Sequence, residues 1–129
     1  MQDWKKRTAE DLKKYRLLRT SLKTLPGRVR LLEQEAREKP SIAGELAGLT
    51  RSMELAKCQC EAIDCGLACL SDEEQWVLRR FFIDREPGCA GLLCEELGYE
   101  QAQVYRVRER ALQKLETALK EEMPTRNNK

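Results

Sequence analysis

The sequence predicts an all-α protein, and three observations carry that prediction. Charged residues make up 36% of the chain and aromatics only 5%, with four Pro and seven Gly, a composition suited to amphipathic helices rather than to a β-sandwich. Runs rich in Val, Ile and Thr at period two are missing. Apolar residues recur instead at steps of three and four.

The first helix is expected over residues 3–25, where Trp4, Thr8, Leu12, Tyr15, Leu18 or Arg19, Leu22 and Leu25 form one stripe on a strongly basic helix. Pro26–Gly27 is expected to break it, because Pro lacks the amide and Gly adopts turn geometry freely. A shorter second helix then covers about 28–38 and ends at Lys39-Pro40-Ser41. A third and longer helix fits about 42–70. Its second half places Leu55, Cys58, Ala62, Cys65 and Cys69 at spacings of 3, 4, 3 and 4, which reads as a buried a/d seam.

The stretch "LSDEEQWVLRRFF" marks a new start. Ser71 can cap the free amides of a fourth helix, Glu74 completes a capping box, and Asp72 and Glu73 suit the positive end of the helix dipole. This helix should run to about Ile83 and bury Trp76 or Val77, Leu78, Phe81 and Phe82. Residues 84–88 are a turn. A short fifth helix over 89–97 is closed by Gly98 in left-handed geometry. The sixth runs from about Gln101 to Glu122, and 123–129 should fray. Two parts follow: 1–70, a helical oligomerisation or interaction region, and 71–122, a compact three-helix unit.

Charge is divided unevenly. The net charge is +2, yet residues 1–30 hold ten Lys/Arg against three acids, and residues 72–129 hold ten against twelve. A nucleic-acid binder needs positive surface somewhere along its contact face. No apolar stretch approaches the roughly 18 residues that span a bilayer, and "MQDWKKRTAE" has no apolar signal core. The expected compartment is the cytoplasm, with reduced cysteines and no membrane partner. The run "CQCEAIDCGLAC" has C-x-C-x4-C-x3-C spacing, which fits neither paired C-x2-C zinc arms nor ferredoxin runs. The cysteines therefore read as small core residues, and no metal or cofactor is expected. The chain has no His and no Gly-rich phosphate loop, which excludes His-assisted acid–base chemistry and points away from an enzyme.

The sixth helix carries the functional signal. Val104, Val107, Ala111, Leu112, Leu115 and Leu119 fall on one side at 100° per residue, and Ala102, Arg106, Glu109 and Gln113 fall opposite, flanked by Gln103, Tyr105 and Arg110. A short helix, a glycine turn and a helix of this kind make a helix-turn-helix, whose second helix offers its N-terminal residues to base edges in the major groove. Gln pairs bidentately with adenine and Arg with guanine.

"LSDEEQWVLRRFFID" followed by "LLCEELGYEQAQVYRVRERALQKL" resembles region 4 of the sigma-70 family: an acidic-capped helix ending in paired aromatics, a small-residue helix, and a recognition helix closing on Ala111, Leu112, Lys114 and Leu115. With a long helical N-terminal half and no region for the −10 element, the chain also resembles the phage and prophage regulators of the ArpU/RinA type. The resemblance implies a transcriptional regulator of phage genes that binds double-stranded DNA, with base contacts at Gln101, Gln103, Tyr105, Arg106 and Arg110. The apolar seams of the N-terminal helices point to self-association, most simply as a dimer, with contact with RNA polymerase as the other role expected of them. Two positions depart from the pattern: Cys94 replaces a smaller residue, and Glu100 replaces the usual Ser or Thr cap close to where DNA phosphates would lie. Two other readings stay open: a DNA-packaging protein like a small terminase subunit, and a helical module that grips polymerase without DNA.

Overall fold

The structure, a computed structural model, describes residues 3–122, so the expected frayed segment 123–129 lies outside the described residues. Among the described residues there is no strand. The elements are α1 (Asp3–Glu38), a 3-10 turn (Pro40–Ile42), α2 (Ala43–Ala68), α3 (Asp72–Leu78) continued by a π-turn (Arg79–Ile83), α4 (Cys89–Leu97) and α5 (Gln101–Glu122). No described helix is long and apolar enough to cross a membrane.

The expected break at Pro26–Gly27 does not occur; α1 passes through Pro26. A proline inside a helix costs about 3 kcal/mol. The apolar pattern opposes that cost, because Tyr15, Leu18, Leu22, Leu25, Val29, Leu32 and Ala36 are all buried or half-buried and step by three and four across the proline. A break would throw Val29, 7% exposed, and Leu32 out of phase with the residues before them.

The chain divides into two compact units: Tyr15–Glu61, and Met1–Lys14 together with Ala62–Lys129. In the first, the buried and half-buried apolar side chains of α1 continue in α2 as Leu46, Leu49, Met53, Ala56 and Cys60, again at heptad steps. In the second, α3 and α4 pack on α5. Its centre is Val77, Leu93, Val104 and Val107, all fully buried, with Phe81, Cys94, Leu97 and Tyr99 around them. The first turns of α1 join α5 through the ion pairs Lys5–Glu109 and Arg7–Glu116, the latter at 3.9 Å.

The cysteine seam is corrected. Cys58, Cys65 and Cys69 are exposed and Cys60 is buried, and Leu55 is 59% exposed. The buried stripe of this half of α2 is Ala56, Cys60, Ile63, Gly66 and Leu67, with Ala62 shared between the two phases. Both phases keep a heptad step, so period alone does not choose between them. Side-chain size does: burying Ile63 and Leu67 removes more apolar area from water than burying Cys65 and Cys69. Iodoacetamide should therefore modify Cys58, Cys65 and Cys69 in the native protein well before Cys60, read by mass spectrometry of digests; equal rates at all four would contradict this phase.

Gly66 sets the approach of α2 to α5. A Cβ built there would stand 2.6 Å from Leu115 Cδ1, and Leu115 is itself fully buried. Gly66→Val should lower the unfolding free energy by about 1–3 kcal/mol through overpacking, measured by urea denaturation, with Gly66→Val/Leu115→Ala losing less than the sum of the single changes.

Candidate nucleic-acid interface

Ser71 and Glu74 close the expected capping box: the Glu74 amide donates to Ser71 Oγ at 3.2 Å, and the Ser71 amide donates to Glu74 Oε1 at 2.9 Å. Val77 and Leu78 are thereby turned inward, while Trp76 stays 39% exposed. Phe81 and Phe82 are half-buried rather than core, and the π-turn, with the Asp84 amide reaching the Arg79 carbonyl at 2.8 Å, buries Ile83 instead. Gly88 and Gly98 bracket α4, both at φ 71°. At the second, the Gly98 amide donates to the Cys94 carbonyl at 2.9 Å and ends the helix. The Glu100 carbonyl then accepts from Gln103 and Val104 and opens α5.

The polar face of α5 divides into two groups. Gln101 and Arg106 are exposed; Gln101 Nε2 donates to the Tyr105 hydroxyl at 3.2 Å and Arg106 Nε donates to the Ala102 carbonyl at 3.4 Å, so both stay on the helix surface. Gln103 is half-buried. Tyr105 and Arg110 have structural partners. The Tyr105 ring lies 5.9 Å from that of Phe81, with the Arg108 guanidinium 4.7 Å over it. Arg110 Nε donates to Glu74 at 2.9 Å, and its guanidinium lies 3.6 Å from Glu73.

Glu74 is the residue whose full role the sequence reading missed. Its side chain is 1% exposed and faces Lys114 at 3.0 Å as well as Arg110. Burial pushes its carboxyl up, but the Ser71 amide, Lys114, Arg110 and the Ser71 hydroxyl outweigh it and hold the group at about 2. The capping pattern marks this residue, whereas nothing local marks its reach to positions 36 and 40 residues away. Neighbouring charges are spent similarly. Arg80 pairs with Glu86 at 2.8 Å and Glu96 at 2.9 Å and stacks on Trp76; Tyr99 donates to Glu73, which raises the Tyr99 hydroxyl; Lys120 faces the buried Glu116 at 3.4 Å. Among the described residues of 72–122, only Arg79, Arg85 and Arg106 are cations without a carboxylate partner. No group of three or more Cys, Asp or Glu among the described residues is placed to hold a metal ion.

Comparison with protein-family models, with curated proteins and with solved structures finds no match to this chain.

The Glu74 contacts make stability depend on pH in one direction. A carboxyl lowered from 4.5 to about 2 contributes stability that is fully present above about pH 5 and is lost as pH falls through the folded value. At 1.36 kcal/mol per unit this amounts to about 3 kcal/mol. Urea midpoints should fall between about pH 5 and pH 2 in the wild type, and Glu74→Gln should be less stable at neutral pH with a flatter profile; an equally steep profile in the variant would assign the loss to other carboxylates.

Proposed function

We propose that the chain is a sequence-specific DNA-binding regulator of transcription in which α3, α4 and α5 act as a sigma-70 region 4-like helix-turn-helix and α5 enters the major groove. The observation that carries this reading is the short helix α4, closed by left-handed Gly98 and followed by a 22-residue helix whose first turns are exposed on the side away from the core. That is the arrangement in which the N-terminal residues of a second helix can meet base edges.

Gln101, Gln103 and Arg106 are then the reading residues, with amides suited to adenine and a guanidinium suited to guanine. Tyr105 and Arg110 contribute from the edge, since packing on Phe81 and pairing with Glu74 fix where they stand. The helices of 3–70 serve self-association or contact with RNA polymerase. A unit of this size buries little surface and binds DNA weakly alone, so two copies on paired half-sites gain by proximity. The assignment to phage or prophage genes rests on the resemblance to ArpU/RinA-type regulators, and the cytoplasm is the compartment in which such a regulator would act.

Fluorescence anisotropy with DNA fragments from around the gene's own locus tests the reading. One fragment should bind well above the rest, and Gln103→Ala/Arg106→Ala should cost about tenfold or more of that discrimination, since a good bidentate pair is worth about 1–3 kcal/mol. If no fragment binds even at low salt, α5 is a bundle helix and the partner is a protein.

A further inference from the structure

DNA binding draws most of its sequence-independent affinity from cations that replace counterions on phosphates. The helices α3 to α5 are poor in such cations. Of the outward residues of α5 assigned above, Arg106 alone is a cation without an acidic partner, and Glu95, Glu96 and Glu100 are exposed nearby in sequence. If this unit reads DNA, it brings only Arg79, Arg85 and Arg106 as unpaired cations among its described residues, and most of the attraction has to come from elsewhere in the chain.

One other element has the required surface. Between Asp11 and Glu33, α1 contains no acid and seven Lys/Arg: Lys13, Lys14, Arg16, Arg19, Lys23, Arg28 and Arg30. All seven are exposed. Arg19 is engaged, donating to the Tyr15 hydroxyl at 2.8 Å. None of the other six forms an ion pair among the described residues. Three of them form a row. Arg16, Lys23 and Arg30 each follow a residue of the buried stripe, Tyr15, Leu22 and Val29, and so recur every seven residues on one flank of the helix. Arg37 extends the row at the same interval, although Glu35 and Glu38 flank it. At about 1.5 Å of rise per residue the four cations are spaced by about 10.5 Å over about 31 Å. The continuous α1 matters here: a break at Pro26 would split the row between Lys23 and Arg30.

We infer that this flank of α1, centred on Arg16, Lys23 and Arg30, is a second DNA-contacting surface that binds the phosphate backbone without regard to sequence. The inference rests on the DNA-binding reading of α5 and adds a division of labour to it. Bases are read by α5, and the salt-dependent attraction comes from α1. An acidic protein would also meet cations. A row of separate single charges with no acid between Arg16 and Arg30, in a chain whose candidate reading helix keeps a single unpaired cation, Arg106, favours the polyanion.

The test uses the full chain and a DNA duplex of scrambled sequence, with affinity measured by anisotropy over a salt series. Arg16→Gln/Lys23→Gln/Arg30→Gln should make the negative slope of log affinity against log salt shallower by about 2.7, about 0.9 for each phosphate that is no longer neutralised. The same variant should keep the ranking of specific over scrambled fragments. Arg16→Lys/Arg30→Lys should keep the wild-type slope, because charge rather than shape is used, and circular dichroism checks that each variant stays helical. An unchanged slope in the triple variant, with discrimination still lowered in Gln103→Ala/Arg106→Ala, overturns the α1 surface and leaves the reading of α5 standing. No duplex binding by the wild type at low salt overturns both. Polyglutamate bound as tightly as the duplex overturns the nucleic-acid assignment of the row in favour of an acidic protein.

Discussion

The unit built on α3, α4 and α5 depends on one buried carboxylate. A charge removed from water is tolerated only with partners that satisfy it, and Glu74 has one from its own helix start and two from α5. The first contact fixes where α3 begins. The other two fix how α3 lies against α5, and therefore which of its residues, Val77 and Leu78, reach the core. Removing Arg110 and Lys114 would leave the Glu74 carboxylate uncompensated in a nearly dry position, which is why its two roles are costly to separate.

That arrangement also determines which charges on α5 remain available. Arg110 and Lys114 are committed to Glu74, Arg108 to the rings of Phe81 and Tyr105, and Lys120 to Glu116. What is left at the exposed start of the helix is chiefly neutral and hydrogen-bonding, with Arg106 the one unpaired cation among the described residues of α5. Under the proposed function such a surface would discriminate between bases but attract a phosphate backbone feebly, whereas α1 carries a run of exposed cations from Lys13 to Arg30 with no acid among them. Under the proposed function the two properties that a DNA-binding protein needs are carried by different helices.

Much of the architecture was legible because it is written in local chemistry. The capping box at Ser71–Glu74, the left-handed Gly98 and the apolar face of α5 from Val104 to Leu119 each involve residues within a few positions of one another, and each stands where the sequence places it. The structure departs from these local signals at Phe81 and Phe82, which are half-buried beside a buried Ile83, and at two larger features. Pro26 is a strong local breaker, but a heptad stripe on both sides of it holds the helix together through packing that the tripeptide around it does not reveal. In α2, small residues lie all round the helix, so period leaves the seam two acceptable phases, and the one that is buried carries Ile63 and Leu67 and sets Gly66 against Leu115.

The candidate site shows the same split. Its residues and their spacing could be named from the sequence, since an amphipathic period and a glycine turn decide which side chains of α5 face outward. Their availability could not. Whether an arginine is free or paired depends on carboxylates brought close by the fold from 36 residues away in the case of Arg110, and on rings such as Phe81 in the case of Arg108. The sequence by itself determined the helical class, most helix ends and the outward face of α5, because these follow from periodicity and from backbone groups seeking nearby partners. Only the tertiary structure decided the continuity of α1, the phase of α2 and the allocation of charge, because each is settled by contacts between residues that the chain order keeps apart.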